Sequence, residues 1–246
     1  MTRHPILAAT LAATTILSAG LPVAAQAASS ERGGAQEAAV PSGGIVYVPP
    51  SRGAPQGRIG GSTRGPAGGL PSLEVLAPDH AGLTASPQPT LLWYLGAPAK
   101  GPIEIVVDTV EMSGRPPLLD VTLQRPSPGI NAVDLVQHKV RLEPGRLYRW
   151  SVAMQVDPAQ RSGDVLASGM IVYQPEASPA VDRKAPTATA ASQLAAQGYW
   201  YDALAVLSRA IARQPGDAGL RDLRATLLEQ VGLREPAAYD RAGRRG

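Results

Sequence analysis

Between residues 70 and 174, short apolar runs alternate with turns built on proline and glycine, and this punctuation decides what the region can fold into. The runs are rich in β-branched and aromatic side chains and too short for a chain of helices. They cover 73–77, 90–95, 103–110, 118–124, 131–136, 147–156 and 166–174. Between them fall Pro87-Gln88-Pro89, Gly96-Ala97-Pro98, Arg115-Pro116-Pro117, Pro126-Ser127-Pro128-Gly129, Glu143-Pro144-Gly145 and Arg161-Ser162-Gly163-Asp164. Seven short strands at such spacing predict an α+β chain, mainly β, whose central domain (70–175) is an antiparallel β-sandwich. The chain has no cysteine and no phenylalanine, so no disulfide can staple the sandwich and three Trp and seven Tyr supply its aromatic packing. Thiol chemistry and thiolate metal sites are excluded with the cysteine.

Upstream, Arg3 and His4 precede an uncharged stretch from Ile6 to Leu21, and Pro22 is followed by Ala25-Gln26-Ala27. A basic start, a short apolar segment and a small-x-small exit read as a cleavable signal peptide over 1–27, cut after Ala27, with Ala25 as the alternative. The apolar stretch is shorter than the roughly 20 residues a spanning helix needs. The chain is therefore expected to be periplasmic or secreted, with no membrane span in its mature form. Residues 28–69 form a Gly/Pro-rich arm in which only Ile45-Val46-Tyr47-Val48 has strand character. It is read as disordered or as laid along the domain.

Beyond a Pro-rich linker at 176–187, the pattern turns helical. Helices are expected over 188–197, 199–214 and 220–231, with a turn at Gly198, a stop at Pro215-Gly216 and Asp217 capping the third. Residues 234–246, with Arg241, Arg244 and Arg245, read as a basic tail. Gly198, Trp200, Ala203, Leu204, Leu207, Ala210, Ile211 and Pro215 have the spacing of a tetratricopeptide repeat around its inter-helix turn. One unit cannot bury its own face, so a helical hairpin or trio over 188–233 is expected to pack on the sandwich.

Local motifs carry two resemblances. Leu142-Glu143-Pro144-Gly145-Arg146-Leu147-Tyr148, leading into Arg149-Trp150, resembles the "tyrosine corner" of immunoglobulin- and fibronectin-like domains, whose phenol hydrogen-bonds to backbone upstream. Ser86 to Tyr94 is similar to the approach to an early core strand of such modules. At larger scale, four stretches taken in order resemble a bacterial domain-of-unknown-function family, number 928. They are Pro50 to Arg64, Leu76-Ala77-Pro78 through Thr90, Tyr148-Arg149-Trp150 with Arg161-Ser162, and Gly198 to Leu204. The likeness spans roughly Val48 to Leu233. It departs in having no Cys in the strand after Tyr148, where some members carry one. The resemblance implies boundaries and no known activity.

Catalytic chemistry finds little footing. His4 leaves with the signal, and His80 and His138 sit in turn-like segments and read as solvated loop residues. No Gly-x-Ser-x-Gly elbow, His pair at helical spacing or calcium-loop pattern is present, so no catalytic, cofactor or metal residues are assigned. Gly60-Gly61-Ser62-Thr63-Arg64 lacks the Lys and the following helix of a phosphate loop. A formal charge of +3 does not argue for nucleic acid.

What remains are candidate partner contacts: Arg52, Arg58 and Arg64 in the arm, Arg161 between Asp157 and Asp164, and Trp200 in Tyr199-Trp200-Tyr201. Arg161 either ties its own loop together or meets an anionic ligand. Trp200 either packs the helices on the sandwich or offers an exposed platform. The expected occupation is a non-catalytic binding or scaffolding module with an envelope or membrane protein partner. An enzyme acting on envelope polymers and a ligand-sensing partner of a signalling protein are the rivals.

Overall fold

In the computed structural model the described residues are 44–50, 58–59, 69–111, 114–157, 159–175 and 188–243. The expected signal peptide, its cleavage site, Arg52, Arg64 and the 176–187 linker lie outside them.

Eight strands form two sheets. The smaller contains β1 (Leu73–Val75), β3 (Thr90–Leu95) and β6 (Gly129–Asp134), all antiparallel, in the order β1-β3-β6. The larger contains β2 (Gly82–Thr84), β4 (Ile103–Thr109), β5 (Leu119–Leu123), β7 (Leu147–Met154) and β8 (Val165–Tyr173), in the order β2-β8-β7-β4-β5. Alternation along the strands builds the interior. Leu73, Val75, Leu91, Trp93 and Leu95 meet Ile103, Ile105, Val107, Trp150, Val152 and Met154, every one fully buried. Gly169 lets β8 come close to the segment that follows β1, because a Cβ there would lie 2.6 Å from that of Ala77.

Tyr148 forms the expected corner: its Oη accepts the Glu143 N–H at 3.0 Å, and Gly145 turns the chain at φ +72.

Two expectations need correction. The sandwich is not wholly antiparallel, because an eighth strand, β2, runs parallel to β8 with Gly82 opposite Ile171. After β1 the chain crosses to the edge of the other sheet and meets β8 in the same direction. The basic tail is also wrong over most of its length, for α4 (Arg234–Ala242) is a helix. Pro236 falls in its first turn, where a missing N–H breaks no bond.

The other helices follow their pattern: α1 (Ala188–Ala196), α2 (Trp200–Arg213) and α3 (Ala218–Gln230), the last capped by Asp217 accepting from Leu220 N–H at 3.1 Å. α2 packs on β2 and β3, and α4 reaches β6. One apolar cluster runs unbroken from the sheets through the helices. α4 is tied in by charge: Arg224 donates to both Asp240 oxygens at 2.7 and 2.6 Å and to Ser208 Oγ at 2.9 Å, with both partners of the ion pair buried.

Candidate functional site

The start of α2 joins the helices to the sheets. Trp200 is fully buried and donates its indole N–H to the Leu76 carbonyl at 2.8 Å. Tyr201 lies between the layers, its hydroxyl accepting from Trp150 Nε1 and donating to the Met170 carbonyl, both at 2.9 Å. Burial pushes that phenol well above its ordinary range, so it stays protonated and can donate. Asp202 accepts the Ala85 N–H at 2.9 Å. The densest aromatic run of the sequence is therefore a joint.

Across this joint lies the arm. Residues 44–50 run without regular secondary structure, and from Gly44 to Val48 exposed and buried positions alternate, with Ile45 and Tyr47 turned inward. The segment, here called the strap, is held by its backbone. Gln230, at the end of α3, accepts the Tyr47 N–H at 2.8 Å through Oε1 and donates Nε2–H to the Ile45 carbonyl at 2.9 Å. Val48 N–H donates to the Ala195 carbonyl at 3.1 Å, near the end of α1, where that oxygen also accepts from the Gly198 N–H at 3.0 Å. Gly198 floors the channel at φ +84, where a Cβ would sit 3.2 Å from the Val48 oxygen.

Tyr47 fills the seam. Its ring meets Trp200 edge-on, centroids 4.9 Å apart, and stacks with His80 at 5.8 Å. Its hydroxyl lies 2.8 Å from His80 Nε2, and His80 Nδ1 lies 3.0 Å from Asp79 Oδ1. Burial, then the Asp79 charge, raises the Tyr47 phenol far above its usual range. With the Asp79 carboxylate accepting from Nδ1–H, the neutral ring presents Nε2 as the acceptor for the Tyr47 phenol. The hydrogen bond from His80 in turn holds the Asp79 carboxyl below its usual range.

The order Asp–His–hydroxyl looks like a nucleophile relay, yet its hydroxyl is buried beneath the strap and biased against ionising. It serves as a clasp on a tyrosine. The expectation that His80 is a solvated loop residue is thus overturned, because the arm covers it. His138 does lie in an exposed turn.

The candidate contacts fare differently. Arg58 is half-buried beside the clasp and donates to the Ala77 carbonyl at 3.1 Å, and burial lowers its affinity for its proton. Next to it, Ile59 pairs with Ser168 on the β8 edge through two 2.9 Å backbone bonds. Arg161 grips Asp164 Oδ2 at 2.7 Å and Glu104 Oε2 at 2.5 Å, with its side chain 53% exposed. The first of its two readings, a local tie, describes its geometry, with β4 supplying the unforeseen Glu104. Trp200 is no surface platform and cannot touch a partner directly. Sequence reasoning missed Tyr47, Asp79, His80 and Gln230. The period-two alternation of Ile45 to Val48 was the available signal, and nothing local pointed to what it would meet.

Among the described residues, surface clefts of about 180, 350 and 330 Å³ are lined by neither His80 nor Tyr47. The second lies over β4 and β7 with Asp108, Arg115 and Arg149. The third, beside α2 and β6, is largely apolar with Arg221 and Arg224. Among the described residues no group of three or more His, Asp or Glu could hold a metal ion, and no helix is long and apolar enough to cross a membrane.

The family described as Domain of Unknown Function (DUF928) matches residues 59–240. No curated protein matches. Among solved structures, a multi-domain immunophilin from Arabidopsis thaliana is similar at 9% identity, over 72% of this chain and 95% of its own. Its TM-score of 0.18 carries no argument about fold or function.

Proposed function

The chain belongs to the DUF928 family, and from that premise we propose that it is an exported, non-catalytic binding module that makes protein–protein contacts in the envelope. The observation that carries this reading is the strap. The helices hold an extended segment through its backbone, and a relay of titratable groups at the joint is spent on clasping it. An enzyme would instead expose such a relay in a pocket, where a substrate could reach it.

The sandwich is read as immunoglobulin-like. Three strands face five, an edge strand pairs parallel with the last strand, and a tyrosine corner precedes β7. The helices are read as a tetratricopeptide-like unit extended by α4. Export rests on the signal-peptide pattern, and the mature chain is proposed to begin at Ala28. An envelope or membrane protein is the proposed partner.

The test is photo-crosslinking in living cells. A crosslinking residue replaces Val136, Leu166 or Tyr239, three exposed apolar positions. The module reading expects discrete crosslinked species from at least one position, in the fraction beyond the inner membrane. No crosslink from any position, with the protein exported and folded, would contradict it.

A further inference from the structure

We propose that the channel between the α1–α2 turn and the end of α3 is a binding site for an extended peptide of a partner protein, with an apolar residue and a tyrosine two positions apart. The strap fills this site in cis. The proposal rests on the module reading and names the class of its ligand.

The geometry is that of peptide recognition. The Gln230 carboxamide bonds the carbonyl of Ile45 and the N–H of Tyr47, the two groups that flank Val46. A residue of a parallel strand makes the same pair of bonds, so one side chain reads an extended backbone whatever its sequence. The Ala195 carbonyl adds a third backbone bond. Specificity lies in the alternate side chains. Ile45 enters an apolar site, and Tyr47 enters one lined by Trp200 and His80, with His80 Nε2 at its far end. The acceptor distinguishes tyrosine from phenylalanine. Val46 and Val48 face outward and are unconstrained.

His80, Ala195, Gly198, Trp200 and Gln230 lie within residues 59–240, the span matched by the family, and the strap precedes that span. Seven residues, 51–57, join the strap to Arg58. Strap and channel are therefore on one chain, and a free peptide has to compete with an intramolecular occupant.

The test uses the full mature chain. Because the chain has no cysteine, Val46→Cys gives a single labelling point at an exposed position for an environment-sensitive dye. The probe is the synthetic octapeptide of residues 43–50, Gly-Gly-Ile-Val-Tyr-Val-Pro-Pro. Saturable displacement of the labelled strap is expected. An unlabelled Ile45→Ser/Tyr47→Ser chain, whose strap has lost its anchors, should bind the peptide roughly tenfold or more tightly than the wild-type chain does. The peptide with alanine for tyrosine should displace nothing.

If the double variant does not fold, Gln230→Ala removes only the clamp. It weakens strap and free peptide alike, so it should raise the fraction of strap released without peptide and should not lower the peptide concentration needed for displacement. Displacement by neither peptide at millimolar concentration would overturn the proposal, as would equal displacement by both. Chain dimerisation accompanying strap release, seen by sedimentation, would overturn the partner assignment in favour of exchange between copies. A failed displacement alongside discrete crosslinks sinks the peptide site and leaves the module reading standing. Loss of both sinks both.

Discussion

Tyr201→Phe tests the joint between helices and sheets. The substitution removes one oxygen and no packing volume, so no cavity term enters. Two groups lose a partner: Trp150 Nε1, which has a single proton to donate, and the Met170 carbonyl. An indole N–H orphaned in a fully buried site costs about 1–3 kcal/mol, and the carbonyl, with a second lone pair, costs less. The expected loss is roughly 2–4 kcal/mol, or about 5–15 °C in Tm for a chain of this size. Urea unfolding followed by tryptophan fluorescence and by far-UV circular dichroism measures it. The two signals should move together, because a single core joins both layers. A double-mutant cycle with Trp150→Phe isolates the hydrogen bond: once the indole is gone, Tyr201→Phe should be the milder by about 1 kcal/mol or more. A loss below about 0.5 kcal/mol, or equal losses in both backgrounds, would refute the bridging role of the hydroxyl.

Three further perturbations bear on the same body. Asp240→Ala leaves the buried Arg224 guanidinium unpaired and should destabilise by roughly 3–5 kcal/mol in urea, whereas Arg224→Met with Asp240→Leu should recover most of that loss. Glu74 has its carboxyl raised, first by burial and then by Glu235. The folded state therefore holds this proton more tightly than the unfolded one, and stability falls as pH rises from the ordinary carboxylate value through the raised one. Glu74→Gln should accordingly raise Tm at neutral pH and leave it unchanged in strong acid, and an equal shift at both would contradict the burial cause. Tyr148→Phe frees the Glu143 N–H and should cost about 1 kcal/mol in urea, without altering the near-UV spectrum of the tryptophans.

Much of the fold was legible because its signals are local. Pro-Gly turns, β-branched runs, the Glu143-to-Tyr148 corner and the Asp217 cap all act within a few residues, and they appear close to where they were read, with β6 two residues earlier than the run at 131–136. β2 escaped because three residues, one of them glycine, make a strand only when β8 offers an edge. α4 escaped because its place is set by Asp240 meeting Arg224, a pairing between helices.

The site was less legible for the same reason. Tyr47 and His80 are 33 residues apart, Tyr47 and Gln230 are 183 apart, and Arg161 and Glu104 are 57 apart. Trp200 illustrates the converse. A conspicuous aromatic cluster invites a binding role, yet its polar tips find backbone and side-chain partners in the interior.

Residue-resolved amide hydrogen exchange along 44–50, in the free chain and with excess octapeptide, tests most directly whether this domain holds extended peptides. In the free chain the Tyr47 and Val48 amides should exchange slowly. In Gln230→Ala, protection should fall at Tyr47. Excess peptide should strip protection from both strap amides while β7 and β8 stay protected. Fast exchange throughout 44–50 in the free chain, or strap protection that excess peptide leaves untouched, would contradict it.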